Sequence, residues 1–156
     1  MKYSVSIILP VLNEINSLKK TLFILNKIKI EKEYLIVFSK SLTQKKTKDE
    51  INKLKKKYKN FKSYHQIRPF VGGAIDLGIK KAKKKYIVIM ASDLETNPYD
   101  LKKMLNISLK NRNCIVSADR WVGSNGFKDY GIIKFIANFM FQKLLKVFFS
   151  YDILDF

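Results

Sequence analysis

The chain has 156 residues, a length that fits one domain, and a hydrophobic fraction of 47%, which argues against intrinsic disorder. It carries 31 Lys and Arg against 13 Asp and Glu, so its formal charge is +18. A charge of this sign attracts nucleic acid, anionic lipid headgroups or phosphorylated substrates, although a lysine bias of the genome would produce the same excess.

Short apolar runs alternate with lysine-rich helical stretches along the chain. The predicted elements are, in chain order, a strand at 5–9, a helix from Asn13 or Glu14 to about 29, a strand at 34–38, a helix at 45–59, a strand at 61–66, a helix at 72–84, a strand at 86–91, a helix at 98–110, a strand at 114–118 and a helix at 130–149. This alternation predicts a three-layer α/β/α fold over residues 1–156 with a mostly parallel central sheet. Strands buried on both faces would explain why residues 87–90 are apolar without alternation.

An acidic turn containing Asp93 and Glu95 follows the strand predicted at 86–91. Ligands of open parallel sheets bind beyond the carboxyl ends of the strands, so this turn lies on a predicted ligand-binding edge. Asp93 and Glu95 can face one Mg²⁺ or Mn²⁺ ion, which would neutralise a diphosphate leaving group. Alternatively, one of the two carboxylates caps the helix that begins at Pro98, but Thr96 and Asn97 are better placed to do so.

Two further segments follow predicted strands and open helices. Pro10, Asn13 and Glu14 come after the first strand, where side chains and backbone N–H groups can bind ribose, base or phosphate, although Asn-Glu is also an ordinary helix start. In the second segment, Arg68 can reach a phosphate and Gly73 belongs to a glycine pair that permits a tight loop. The glycine spacing fits neither a dinucleotide fingerprint nor a P-loop.

In this order, the segments resemble the family 2 glycosyltransferases, which have the Rossmann-like GT-A fold. The stretches that carry the resemblance are Ser4-Val5-Ser6-Ile7-Ile8-Leu9-Pro10-Val11-Leu12-Asn13-Glu14, the Gly-Ala-x-x-x-Gly helix, Ile-Val-Ile-Met-x-x-Asp-Leu-x-x-x-Pro, and Ser117-Ala118-Asp119-Arg120-Trp121. Within that family, the dolichyl- or polyprenyl-phosphate sugar synthases look most similar.

The resemblance implies that a nucleotide-diphosphate sugar and a divalent cation bind at the strand ends and that an acceptor attacks C1 with inversion. A polyprenyl phosphate is already an anionic nucleophile, whereas the hydroxyl of a glycan acceptor would need a carboxylate base. By position, the nucleotide-sugar site is expected to contain Pro10, Asn13, Glu14, Arg68 and Gly73. Asp93 and Glu95 are the expected metal ligands, and Asp93 and Arg120 the expected catalytic residues.

The chain departs from the family pattern at two strand ends. Phe38 and Ser39 stand where the family usually has acids, and Ala91 replaces the first Asp of the usual Asp-x-Asp motif. Glu95 supplies a negative charge where Gln is common. These departures leave open the alternative of a degenerate GT-A domain that binds a partner or a membrane without catalysis.

The last part of the chain carries three further expectations. Residues 150–156 resemble the start of the family's Asp-x-Thr-x-Gly-Phe-Arg motif, so we expect a domain cut short on its acceptor side. The amphipathic helix at 130–149 suits covering the sheet or lying in a membrane interface. Cys114, in an apolar run, is expected to be buried, and a lone cysteine fits the reducing cytoplasm.

We therefore expect a cytoplasmic enzyme that is peripheral at the inner face of the membrane. Nucleic acid is the less favoured partner, because no stretch interleaves aromatic and basic residues as nucleic-acid-binding motifs do.

Overall fold

The computed structural model describes residues 3–94, 96–111 and 114–118, together with 136, 137, 139–141, 143, 144 and 147. The chain divides into two compact units, residues 1–111 and 112–156. The elements of the first unit are β1 (Ser4–Val11), α1 (Ile15–Lys27), β2 (Glu31–Ser39), α2 (Lys45–Lys57), β3 (Phe61–Gln66), α3 (Phe70–Lys81), β4 (Tyr86–Ile89), a 3-10 turn (Pro98–Asp100) and α4 (Leu101–Lys110). The strands and helices predicted up to residue 110 are therefore present, with boundaries moved by a few residues.

The four strands form one parallel sheet in the order β3-β2-β1-β4. Because all strands run the same way, their last residues, Val11, Ser39, Gln66 and Ile89, meet at one side of the sheet, which we call the carboxyl edge. Their first residues, Ser4, Glu31, Phe61 and Tyr86, meet at the opposite side, which we call the amino edge. This arrangement confirms the predicted parallel sheet.

Two separate apolar cores lie on the two faces of the sheet, because successive side chains of a strand point to opposite faces. Ile7 of β1 belongs to the larger core, which also contains Leu22 of α1 and Ile51 of α2. Ile8, its neighbour in β1, belongs to the smaller core with Ala74 of α3. The fold is thus a three-layer α/β/α arrangement, with α1 and α2 on one face and α3 on the other.

The helix α3 approaches β1 unusually closely at Gly78. A Cβ atom built on Gly78 would lie 2.4 Å from Cγ2 of Ile8, which is closer than side chains pack. The glycine therefore sets the distance between α3 and the sheet.

The prediction that residues 87–90 are buried on both faces is wrong for this strand. Ile87 and Ile89 are 44% and 49% exposed, while Val88 packs against the larger core. The reason is topological: β4 is the outer strand of the described sheet, and α3 packs chiefly on β1 and β2. One face of β4 therefore lacks a covering helix in the described part of the first unit.

The prediction of a strand at 114–118 with a buried cysteine is also wrong. These residues have no regular secondary structure, Cys114 is exposed, and Ile115 is 99% exposed. A strand needs a hydrogen-bonded neighbour, and three consecutive apolar residues are too short a run to form one without it.

The final predicted helix is described only in part. The described residues between 136 and 147 are helical and exposed, and they include Ile136, Phe139, Met140, Phe141, Leu144 and Val147. The remaining residues of the predicted helix, residues 119–129 and the motif at 150–156 lie outside the described residues. Within the described part of the chain, no helix is both long enough and apolar enough to cross a bilayer.

Candidate active site

A cavity of about 430 Å³ opens at the carboxyl edge, a volume within the range of small-molecule sites. Its walls contain the ends of all four strands and the first turns of α3. The lining residues are Pro10, Val11, Leu12, Glu14, Ser39, Leu42, Gln66, Phe70, Val71, Ala74, Ile75, Ile89, Met90, Ala91, Ser92 and Asp93. The sheet topology therefore brings the segments after β1 and β4, which sequence analysis singled out separately, to one crevice.

Ser92 connects two of these strand ends. Its Oγ lies 2.8 Å from the carbonyl oxygen of Pro10 and 2.8 Å from Oε1 of Glu14, and the residue is only 2% exposed. We call this group of Ser92, Pro10 and Glu14 the serine latch. It holds the turn after β4 against the loop after β1.

The Glu14 carboxylate also holds its own loop. Oε1 accepts from the backbone N–H of Leu12 at 2.9 Å, and Oε2 accepts from that of Asn13 at 2.8 Å. Burial by itself would raise the pKa of Glu14, but these bonds and the one from Ser92 favour the ionised form and hold the pKa below its usual value. Glu14 therefore stabilises the loop that forms this part of the cavity wall. Its binding of a nucleotide stays a prediction.

Asn13 connects the same loop to α2. Its Oδ1 accepts from the backbone N–H of Gln44 at 2.9 Å and lies 3.4 Å from Oγ1 of Thr47. The loop after β1 is thus tied to β4 through Glu14 and to α2 through Asn13. A loop bound to two neighbouring segments is preorganised for a ligand, because less ordering remains to be done on binding.

Arg68 and Gly73 lie at the start of α3. Nη1 of Arg68 is 3.7 Å from Oδ2 of Asp76, and the arginine side chain is 74% exposed. A Cβ atom on Gly73 would lie 2.2 Å from the carbonyl oxygen of Arg68, so the glycine is required by the close approach of the backbone. Binding of phosphate by Arg68 stays a prediction.

The acidic turn has an unusual backbone. Asp93 is exposed and lines the cavity, and Leu94 after it has a φ of 72°, in the left-handed region that L-residues rarely adopt. Phe70, which also lines the cavity, has a φ of 62°. Such conformations cost about 1–2 kcal/mol each and are often found at functional sites.

Asn97, rather than Asp93, caps the turn at Pro98–Asp100. The Asn97 side chain accepts from the backbone N–H of Tyr99 at 3.1 Å, which confirms Asn97 as the better placed cap. Two other predicted site residues, Glu95 and Arg120, lie outside the described residues.

The described residues form no group of three or more His, Cys, Asp or Glu that could hold a metal ion. Within the cavity wall, Asp93 and Glu14 are the described carboxylates, and the oxygens of Glu14 are used by the loop and by Ser92. Mg²⁺ is commonly held by one or two carboxylates together with water and substrate phosphates. The donors present therefore fit a cation that binds together with a diphosphate better than a cation bound by protein alone.

Sequence analysis missed Ser92 and the apolar part of the wall. Ser92 is a small polar residue after an apolar run, a weak signal that does not distinguish a residue joining two strand ends from one in an ordinary turn. Leu42, Phe70 and Val71 are 67%, 83% and 63% exposed at the cavity. Only the folded chain shows that these three residues, from the loop after β2 and the first turn of α3, share one opening.

Comparison with known proteins agrees with this geometry. A parallel α/β sheet with a cavity at its carboxyl edge defines a Rossmann-like protein, here of the GT-A type. The model of the family described as Glycosyl transferase family 2 matches residues 6–155, and the chain belongs to this family. The resemblance seen in the sequence is thereby confirmed at the level of the family.

Among solved structures, the fold is similar to that of the mannosyltransferase PcManGT from Pyrobaculum calidifontis, which was determined in complex with GDP-Man and Mn²⁺. The TM-score is 0.53 and the sequence identity 16%, and the match covers 60% of this chain and 28% of that one. At this identity the likeness shows the fold alone. No curated protein matches the chain.

Proposed function

We propose that the protein is an inverting glycosyltransferase that moves a sugar from a nucleotide-diphosphate sugar to a polyprenyl phosphate or a glycan. The observation that carries the proposal is the cavity at the carboxyl edge, which joins all four strand ends and has Asp93 in its wall, in a chain of this family. Membership of the family supports glycosyl transfer in general. The direction of attack and the two acceptors are part of the proposal.

Each part of the cavity has a role in this proposal. Asp93, with Glu95 as its proposed partner, would hold the Mg²⁺ or Mn²⁺ that accompanies the diphosphate end of the donor. The cation, when bound, offsets the negative charge that develops on the diphosphate leaving group. The PcManGT complex, which contains GDP-Man and Mn²⁺, supports a donor and a metal of these classes.

The remaining walls position the donor. Pro10 and the backbone after β1, held by Asn13 and Glu14, contact the nucleotide. Leu42, Phe70 and Val71 cover it and keep water from the reacting carbon. Arg68 and Arg120 are the proposed phosphate contacts. We also propose a cytoplasmic location, peripheral at the membrane, where nucleotide sugars meet membrane-borne acceptors.

Calorimetry with UDP- and GDP-sugars tests the proposal. We expect at least one donor to bind more tightly with Mn²⁺ or Mg²⁺ than without, and Asp93→Asn to remove most of this metal dependence because it removes the charge that faces the cation. Asp49→Asn, an exposed acid on α2, is the matched control and should leave binding unchanged. The proposal fails if no donor binds with either metal.

A second candidate, a non-catalytic GT-A domain, is favoured by one specific observation. Ser39 and Ala91 line the cavity at positions where the family usually has carboxylates. In this case the donor would bind but would be neither transferred nor hydrolysed. Metal-dependent hydrolysis of a bound nucleotide sugar, abolished by Asp93→Asn, would exclude this candidate.

A further inference from the structure

Lysines are concentrated at the amino edge, on the opposite side of the sheet from the cavity. Three segments meet there, residues 27–33, 55–62 and 80–85, since each contains the end of a helix or the start of the next strand. They hold three, five and five lysines: Lys27, Lys29, Lys32, Lys55, Lys56, Lys57, Lys59, Lys62, Lys80, Lys81, Lys83, Lys84 and Lys85. We call these side chains the lysine face.

The lysine face is held in place by polar contacts between its segments. Glu33, only 2% exposed, binds Nζ of Lys62 at 2.8 Å and accepts from the backbone N–H of Lys83 at 2.8 Å. Oγ of Ser6 donates to the same carboxylate at 2.7 Å. Glu31 binds Nζ of Lys84 at 2.7 Å. These bonds join all three segments, so the backbone that carries the lysines is held together at this edge.

The charge of this surface is only partly neutralised. Its segments contain two carboxylates, Glu31 and Glu33, which bind Lys84 and Lys62, and Asp76 of α3 binds Lys80 at 2.9 Å. Ten of the thirteen lysines are exposed; those half-buried are Lys32, Lys62 and Lys84. A helix C-terminus carries only about half a negative charge, so one lysine per helix would be enough to balance it. The excess therefore points to an external anion.

We propose that the lysine face docks on an anionic lipid bilayer. An array of lysines is attracted to anionic headgroups over a distance of about a Debye length and needs no specific pocket. None of the large exposed apolar side chains in the described part of the chain belongs to the three segments, so docking is electrostatic and does not require insertion.

The aromatic side chains beside the lysine face do not form a row of open rings. Tyr58 and Tyr86 are half-buried, and each has a lysine ammonium 5.5–5.8 Å from its ring centre. Phe23, with Nζ of Lys27 4.1 Å from its ring centre, and Tyr99 are exposed but belong to two different elements. Proteins that bind single strands present successive open rings on which bases stack, so we favour lipid over nucleic acid. The inference gives the proposed peripheral location a defined surface; it rests on that location and does not depend on the proposed chemistry.

Vesicle co-sedimentation of the full chain tests the inference. The vesicles are pure phosphatidylcholine or phosphatidylcholine with one third phosphatidylglycerol. The test variant combines Lys81→Gln, Lys83→Gln and Lys85→Gln. The control variant combines Lys40→Gln, Lys45→Gln and Lys46→Gln, and it removes the same charge from exposed positions near the carboxyl edge. We expect binding to the anionic vesicles only, and a loss of affinity of about tenfold or more in the test variant alone.

Three outcomes would overturn the inference. They are equal losses in the two variants, which would mean that only net charge matters; absence of binding to anionic vesicles; and tighter binding to single-stranded RNA than to vesicles at equal phosphate concentration. Donor calorimetry on the same variants separates this test from that of the proposed function. The lysine-face variant should bind the donor as tightly as the wild type does. If neither the wild type nor the variants bound a donor, the proposed function would fail, but the vesicle result would still stand.

Discussion

Ser92 has two hydrogen-bond acceptors and a single hydroxyl proton. With Glu14 ionised, the proton is shared between its carboxylate and the Pro10 carbonyl, both 2.8 Å from Oγ. The serine latch therefore positions other groups. The Ser92 hydroxyl makes its hydrogen bonds to protein atoms, so it affects a ligand only through the backbone of the two loops that it joins.

We expect Ser92→Ala to lower the free energy of unfolding by about 1 kcal/mol, the value of a typical buried hydrogen bond. It should also weaken donor binding, since the loop after β1 loses its tie to β4. Urea unfolding and donor calorimetry measure the two effects. Ser63→Ala, a half-buried serine of β3, is the matched control. Unchanged donor affinity in Ser92→Ala would show that the latch is only structural.

Phe70 combines a left-handed backbone with an exposed ring at the cavity. Phe70→Gly removes the backbone strain at almost no loss of packing, so we expect the protein to become more stable by about 1 kcal/mol. If the ring covers the donor, affinity should fall at the same time. Thermal unfolding with donor titration distinguishes this trade-off from a simple loss of fold.

At the scale of single residues, the sequence predicted side chains with local roles and missed those with distant partners. Asn97 was identified as a cap because its acceptor role depends on a residue two positions away. Ser92 and Glu14 are 78 residues apart, and no local pattern connects them. The same limit applies to Asn13, whose partners lie in α2.

Among the elements, α3 depends most on one residue. Because a Cβ at Gly78 would lie 2.4 Å from Ile8, Gly78→Ala must push α3 away from β1, and we expect a loss of about 2 kcal/mol. Gly72→Ala is the control in the same helix: nothing lies within 4 Å of its Cβ, so better helix propensity should stabilise the protein by about 0.5 kcal/mol. Urea unfolding of both variants measures the difference.

The double variant Gly78→Ala with Ile8→Ala tests whether the contact with Ile8 causes the loss of stability. The smaller side chain opens the space that the new methyl group needs, so the double variant should be more stable than the sum of the single effects. Simple additivity would mean that the contact with Ile8 is not the cause.

At the scale of elements, periodicity located the strands and helices of the first unit but not their neighbours. β1 and β2 were predicted well because their apolar residues are buried. Residues 87–90 gave the same apolar signal although one face of β4 is exposed, since composition does not reveal whether a helix covers a strand. The prediction of a strand at 114–118 was wrong for a similar reason, because a strand forms only when it is hydrogen-bonded to a neighbouring strand.

For the whole molecule, Glu33 connects stability to pH. Burial raises its pKa, but the bonds from Lys62, Ser6 and Lys83 outweigh burial and hold the pKa below its usual value. A lowered carboxyl pKa stabilises the fold above the pKa of the unfolded chain, and the contribution disappears as pH falls through the folded value. We expect stability to be level from pH 8 to about 5.5 and to decline below about pH 4.5.

Glu33→Gln should lower stability at pH 7 by about 2 kcal/mol and flatten the acid decline, because the ionised acceptor is gone. Urea unfolding from pH 7 to pH 3 measures both effects. Glu50→Gln is the control: hydrogen bonds from Lys19 and Lys53 hold the pKa of Glu50 at about 2, but this surface pair is screened by salt. If 0.5 M salt removed the effect of Glu33→Gln as well, Glu33 would not act as a buried group.

Because all four strands run in the same direction, the length of β1 sets the distance between the cavity and the lysine face. β1 has eight residues, so the cavity and the lysine face lie about 25 Å apart. A chain resting on lipid through that face would carry its reacting centre well above the headgroups. A phosphate attached to a membrane lipid stays at headgroup level, whereas the growing end of a sugar chain can extend over such a gap. The two proposed acceptors therefore differ in the distance that they can span from the membrane. Docking through the lysine face favours a growing glycan over a polyprenyl phosphate.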